Sequence, residues 1–194
     1  MPANPTVNGG LKYVGNILGD APGGCITCVT LTADASPIGI GDPVKLEGTG
    51  NVAGLPSVIR CAEGDRIFGV VEGVLPDTSG LISEGLKYRA GSTARALAVR
   101  PADNLSIYEI AENNVAGNLA NTNIGQFCNL AITSCDTISG LSKVTLNSAN
   151  ASTNVGQVRI IGFAQRSDNV ITNTGGKWLV LIGTSQIADG VGAV

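Results

Sequence analysis

Paired carboxylates are the side chains in this sequence whose spacing best suits catalysis. The chain has no histidine, which excludes Ser-His-Asp and Cys-His nucleophile pairs and histidine-bearing metal sites. Glu63 with Asp65, and Glu109 with Glu112, are close enough in sequence to be the acid pair of a glycosidase. A sugar-binding cleft also needs aromatic side chains, and the chain has one Trp, three Tyr and three Phe. We therefore interpret these carboxylates as turn and surface charges and assign no catalytic residue. A carboxylate-dependent glycosidase is kept as an alternative.

The cysteines are the second group of residues that suggests chemistry. Cys25 and Cys28 form a single CxxC, whereas Cys61, Cys128 and Cys135 do not supply the second CxxC of a zinc site. No βαβ pattern surrounds the motif, as a thioredoxin-like redox pair would require. An odd number of cysteines, five, also excludes a fully paired disulfide framework within one chain. We expect free thiols, no metal and no cofactor, and the role of the CxxC stays open.

The composition favours an assembled structural protein over a protein that binds nucleic acid or membranes. Charged residues make up 14% of the chain, compared with about 25% in an average soluble protein. The net charge is −3 and no basic run is present, so we expect no contact with nucleic acid. No apolar run is long enough to span a membrane. Residues 1–5 lack the basic and apolar regions of a secretory signal, so we expect synthesis in the cytoplasm.

Short apolar runs separated by turn residues predict an all-β fold. From Ile38 onward, runs at 43–47, 57–62, 66–74, 86–90 and 94–100 alternate with Gly-, Asp- and Pro-containing turns. This spacing is typical of antiparallel strands in a barrel or sandwich. The best helical candidate, residues 111–120, is interrupted by Asn113, Asn114 and Gly117. Trp178 lies in the apolar run 178–182, and we expect it to be a core residue.

An internal repeat predicts two small tandem modules. Residues 40–46 align with 124–130, and residues 64–70 align with 158–163, although chance similarity among Val/Ile/Gly-rich strands is an alternative. The predicted units are an extended N-terminal arm (1–35), β module 1 (36–100), a linker (101–120), β module 2 (121–184) and a C-terminal tail (185–194). The glycines assigned to turns are Gly41, Gly69, Gly91, Gly125, Gly162 and Gly176.

Two segments are predicted to contact other molecules. The arm has only three charged residues and is rich in apolar side chains among glycines, so we expect it to dock on its own domain or on a neighbouring subunit; a disordered terminus is the alternative. Between Glu112 and Arg159 the only charged residues are Asp136 and Lys143, which makes residues 113–158 a candidate subunit interface. The apolar arm residues expected to contact a capsid or a subunit are Leu11, Tyr13, Val14, Ile17 and Leu18.

Residues 36–184 resemble the cement or decoration proteins of tailed-bacteriophage capsids. The resemblance is carried by structural strand-and-turn patterns at 87–95, 99–103, 108–110, 160–169 and 177–182. It implies a non-enzymatic protein of the virion that binds the major capsid protein on the outer capsid surface and stabilises the head lattice. It also implies homotrimers near threefold and quasi-threefold positions. A head-fibre or receptor-binding module is an alternative, but such a module would be expected to present an aromatic-rich or strongly patterned surface.

Overall fold

The protein is all-β, as the sequence predicts. The computed structural model describes residues 4, 9–19, 24–76, 87–171 and 173–187. Residues 1–3, 5–8 and 20–23 of the predicted arm and 188–194 of the predicted tail lie outside the described residues. Two short 3-10 turns, Asn121–Asn123 and Ser148–Asn150, interrupt the strands. The strands are β1 (Lys12–Asn16), β2 (Ile26–Thr30), β3 (Pro43–Gly50), β4 (Pro56–Arg60), β5 (Gly69–Val74), β6 (Arg95–Pro101), β7 (Ser106–Ala111), β8 (Phe127–Cys128), β9 (Leu130–Ala131), β10 (Thr145–Leu146), β11 (Val158–Phe163) and β12 (Lys177–Ile182).

Five strands close into a barrel in the order β2-β4-β3-β5-β6. The neighbouring strands pair antiparallel, except that β2 runs parallel to β4 where Val29 faces Ser57. Strand β6 shows why the sequence folds this way, because alternate residues from Arg95 to Val99 are buried and match the period of two of a strand. Closure removes the free edges that an open sheet would expose. The barrel core consists of Cys28, Ile38, Val44, Val58, Phe68, Val71, Leu97 and Val99.

Five of the remaining strands form an antiparallel sheet in the order β1-β7-β12-β11-β8. Strands β9 and β10 pair with each other in a separate two-stranded sheet. Trp178 on β12 is completely buried, which confirms the core position predicted for it, and its ring meets Phe163 edge-on. The core under this sheet also includes Ile67 and Val70 from the barrel half of the chain. The barrel and the sheet therefore have separate apolar cores, and the sheet core takes residues from both halves of the chain.

The strand positions differ from the predicted domain boundaries at three places. Residues 12–16 and 26–30, assigned to an extended arm, form β1 and β2 and pair within the sheet and the barrel. Residues 106–111, assigned to a linker, form β7 between β1 and β12. The reason is visible in β7, where Ser106, Tyr108 and Ile110 are all buried on one face. In the predicted tail, Ser185 also packs inward and donates to the carbonyl of Ala102.

The predicted turn glycines fall into two structural groups. Gly69 and Gly162 lie inside strands β5 and β11 rather than in turns. At Gly69 the reason is close packing, because a Cβ atom there would lie 2.5 Å from the carbonyl oxygen of Arg100. Gly41 has φ near +90°, a backbone conformation that glycine adopts without strain. Of the six predicted turn glycines, those that lie outside strands are Gly41, Gly91, Gly125 and Gly176.

Candidate binding surface

The structure separates the five apolar arm residues into a buried pair and an exposed group. Leu11 is buried in the sheet core, and Tyr13 packs against that core. Val14, Ile17 and Leu18 are 46%, 53% and 78% exposed. The first two residues therefore anchor β1 to its own domain, whereas the other three are available to a partner.

Strand β1 is held in place by contacts on both sides of Tyr13. Its ring lies 6.0 Å from the ring of Tyr108 on β7, in an edge-on arrangement. The guanidinium of Arg100, on barrel strand β6, lies 4.0 Å above the same ring, within the range of a cation–π interaction. The amide of Leu11 donates to the carbonyl of Gly41 at 3.0 Å. Both the barrel and the sheet thus fix the start of β1.

The chain then turns sharply and exposes two large apolar side chains. The amide of Ile17 donates to the carbonyl of Leu105, and the amide of Leu18 donates to Oδ1 of Asn16. Both bonds are 2.9 Å long, so the turn is well defined. Leu105 is also exposed. We call Val14, Ile17, Leu18 and Leu105 the edge patch.

Val14 of the edge patch lies on β1, and Ile17 and Leu18 follow that strand. Within the described ranges, β1 has a hydrogen-bonded neighbour on one side only. Strand β1 is an edge strand of its sheet and, among the described strands, pairs with β7 alone. Proteins usually protect such edges with charged residues, prolines or bulges. Here the strand has one charged residue, Lys12, and a bulge that makes Val14 the extra residue opposite β7. The bulge turns a valine toward the outside, so this edge combines free backbone groups with exposed apolar side chains.

The outer face of the sheet continues this apolar surface. Ile107 is paired with Gly15 of β1 on one side and with Leu181 of β12 on the other. Ile107, Leu179 and Leu181 are half-buried, and they alternate along their strands with core residues such as Tyr108. The arrangement offers a partner a strip of apolar side chains next to an exposed strand edge, bordered by the charged Glu109 and Arg159.

The four candidate catalytic carboxylates lie in different surroundings. Glu63 is exposed and contacts Asn147 and Asn150, whereas Asp65 is ion-paired with Lys45 at 2.7 Å. Glu109 and Glu112, three residues apart on an extended chain, lie on opposite faces of the sheet.

The interpretation of Glu112 as a surface charge is wrong, because this residue is only 3% exposed. Its Oε2 accepts from the amide of Leu119 at 2.7 Å. Burial raises the pKa of the Glu112 carboxyl, and the hydrogen bond from Leu119 opposes that rise. Its position beneath the sheet and its bond to a loop amide make Glu112 a structural carboxylate that ties residues 112 and 119 together.

The two cysteines of the CxxC differ in their surroundings. Cys25 is exposed, whereas Cys28 is completely buried in the barrel, because an odd spacing on an extended chain puts side chains on opposite faces. Burial raises the pKa of the Cys28 thiol to about 11. The part of the chain that the structure describes contains no cluster of three or more acidic or cysteine side chains suited to a metal ion.

The segment 113–158 has exposed apolar residues that sequence reasoning missed. Val115, Ile138 and Val155 are each more than 70% exposed, and Ile124 is partly exposed. The low charge of this segment predicts a neutral surface but does not indicate that these side chains are exposed. Their signal was present as isolated β-branched residues among Asn, Ser and Thr. They add to the neutral surface available for subunit contacts.

Comparisons of the chain with models of protein families, with curated proteins and with solved structures return no match. Among the described residues, no helix is long and apolar enough to cross a membrane. The edge patch is the surface feature of the described residues that best indicates a function, namely binding to another chain.

Proposed function

We propose that this chain is a structural protein of a bacteriophage virion that binds the outer surface of the capsid and stabilises the head lattice. The observation that carries the proposal is the edge patch, where Ile17 and Leu18 are exposed beside a strand that, among the described residues, pairs on one side only. An apolar, weakly charged strand edge is a surface that other chains can extend or cover. The resemblance of residues 36–184 to capsid decoration proteins supports the same interpretation.

The proposed partners are the major capsid protein and further copies of this chain. Synthesis in the host cytoplasm would be followed by assembly onto the outer capsid surface. In this proposal the barrel contains the first predicted module together with β2, and strands β8–β12 correspond to the second module. Of the predicted arm (1–35), the edge-patch residues within 14–18 make the contact. The low charge of residues 113–158 and the exposed Val115, Ile138 and Val155 support a homo-oligomer, which we propose is a trimer.

Several edge patches in one oligomer compensate for the weak binding of a single patch. Burying apolar surface contributes about 25 cal/mol per Å², so one edge patch gives modest affinity. In a trimer, the first docked patch raises the effective concentration of the other two to about the millimolar range. Binding then depends strongly on oligomerisation, and a monomeric variant would bind capsids weakly even with an intact patch.

The direct test is co-sedimentation of the purified protein with capsids of its own phage. We expect the double variant Ile17→Ser/Leu18→Ser to stay folded and to bind capsids at least about tenfold more weakly, because two large apolar contacts are lost. The matched control is Val52→Ser, since Val52 is fully exposed on the β3–β4 hairpin of the barrel. Equal binding by the double variant and the wild type would contradict the proposal.

Analytical ultracentrifugation tests the assembly state separately. We expect a compact trimer at micromolar concentration, because large neutral faces remain to be covered. A monomer at that concentration would contradict the interface assigned to residues 113–158 without deciding whether the edge patch binds capsids.

A further inference from the structure

A cavity of about 450 Å³ lies between the start of β1, the turn at Ile40 and Gly41, and strands β7 and β12. Its volume is within the range of about 300–1,000 Å³ that is typical of ligand sites. The edge patch lies outside it, so the cavity is a separate feature of the molecule. Its walls combine apolar side chains with several charged ones.

Lys177 is the unusual residue in this cavity. It is the first residue of β12 and only 9% exposed, yet its side chain lines the cavity. Asn169 holds its backbone through bonds of 2.9 Å to both its amide and its carbonyl. Its ammonium group has no hydrogen bond or ion pair with any residue the structure describes. The stem of this side chain is covered while its ammonium keeps contact with solvent through the cavity, so an anion that enters the cavity can pair with it.

The charges around Lys177 also favour an anion. Glu109 is ion-paired with Arg166 at 3.0 Å, and Glu72 is ion-paired with Arg100 at 2.9 Å, so both carboxylates that line the cavity have partners. The cavity wall and the ion pairs at its rim together contain four cationic and three anionic side chains, namely Lys12, Arg100, Arg166 and Lys177 against Glu72, Glu109 and Asp168. One further negative charge would balance the group.

The apolar part of the wall indicates what the anion is attached to. Ile40 and Leu141 are half-buried and line the cavity beside the charged residues, whereas Leu11, Val71 and Ile110, which also border it, are at most 2% exposed. A ligand with both an apolar chain and a single negative charge fits such a wall. A phosphate group brings a charge of about −1.5 to −2 near neutral pH, more than the single positive charge left over here.

We propose that this cavity binds a carboxylate carried on a short apolar chain, with Lys177 as its ion-pair partner and Lys12 as a second cation at the entrance. The carboxylate can come from a free carboxylic acid or from an acidic residue in an apolar peptide segment. The proposal is independent of capsid binding, because it depends on the cavity and not on the edge patch.

Isothermal titration calorimetry tests it with three probes on the full-length protein. The probes are sodium hexanoate, the neutral hexanamide, and the peptide acetyl-Val-Asp-Val-amide. We expect saturable binding of at least one carboxylate probe and binding of hexanamide weaker by about 10- to 100-fold, the range for a charged hydrogen bond. Stronger binding of hexanoate or of the peptide identifies the source of the carboxylate, and either result supports the proposal.

Variants separate the ion pair from unspecific binding. Lys177→Gln should weaken carboxylate binding by about 10- to 100-fold, whereas Lys143→Gln, at an exposed lysine, should not change it. If Lys177→Gln does not fold, Lys12→Gln at the exposed entrance provides the second variant, with an expected loss of several-fold. The proposal is overturned if neither carboxylate binds at about 10 mM, if hexanamide binds equally well, or if a folded Lys177→Gln protein binds like the wild type.

Discussion

Replacing Arg89 with Met should strongly destabilise the barrel, because Arg89 fastens the connection after β2 to the turn before β6. Its side chain is completely buried. It donates to the carbonyls of Leu31, Ser36 and Thr93 at 2.7, 2.6 and 2.8 Å. It is also ion-paired with Asp34 at 3.2 Å. The variant Arg89→Met keeps much of the side-chain volume but removes every one of these donors.

The expected loss of stability in Arg89→Met follows from the buried acceptors that lose their hydrogen-bond donor. Three carbonyls and the largely buried carboxylate of Asp34 lose their donor, and breaking a buried ion pair from one side costs about 3–5 kcal/mol. In a chain of this length, that loss lowers the melting temperature by about 6–20 °C. Urea unfolding followed by circular dichroism should show a lower midpoint at an unchanged m-value.

Two further variants serve as controls for the Arg89 test. Arg66 is exposed, so Arg66→Met should change the free energy of unfolding by less than about 0.5 kcal/mol. Adding Asp34→Asn to Arg89→Met should cost less than Asp34→Asn costs alone, because the uncompensated carboxylate is removed. If Arg89→Met is destabilised by less than about 1 kcal/mol, the inferred role of this buried network is wrong.

Three other outcomes are expected. Burial raises the pKa of Asp42 from 3.8 to about 6, so relative to Asp42→Asn the wild type should lose about 3 kcal/mol of stability as the pH rises from about 3 to 7. Urea unfolding measures this loss, and a pH-independent difference contradicts it. In the native protein, Ellman's reagent should modify one thiol, Cys25, with the other four reacting only after unfolding; rapid reaction of two or more would be inconsistent with the burial described. Amide replacements at all four candidate acids should leave capsid binding unchanged in co-sedimentation, and a loss by the folded protein would give them a functional role: Glu63, Asp65, Glu109 and Glu112.

Strand positions could be predicted from sequence wherever the burial pattern is local. The predicted run 94–100 corresponds to β6, Arg95–Pro101, and the apolar run 178–182 corresponds to β12, Lys177–Ile182. In both strands the apolar residues repeat or run together over five or more positions, which is a strong local signal. Strand β1 was not predicted, because its five residues contain a glycine and a bulge and its pairing with β7 depends on tertiary structure.

The candidate binding surface could be predicted only in part. Composition identified Leu11, Tyr13, Val14, Ile17 and Leu18 as residues that must contact something. It could not show that the first two face their own core, since the bulge at Val14 and the turn after Asn16 decide that division. The sequence predicts an arm that docks on its own domain or on a neighbouring subunit. The structure divides it, because Leu11 is buried in the sheet core whereas Ile17 and Leu18 are exposed.

Buried charges were the least predictable feature. Lys177 begins an apolar run, where a lysine is usually a solvent-exposed end of a strand. It is buried because Asn169 binds its backbone and the neighbouring strands cover its side chain. Glu112 follows an exposed-looking pattern in the sequence but ends on the core face of β7, where Leu119 supplies its donor. Both positions depend on contacts between residues that are distant in sequence.

Cryo-electron microscopy of capsids incubated with the purified protein tests the central claim most directly. We expect ordered density on the outer capsid surface, in which the barrel and the sheet can be recognised. We also expect Ile17 and Leu18 to face the capsid or a neighbouring copy. Capsids that carry no added density, or density in which these two side chains face solvent, would contradict the account.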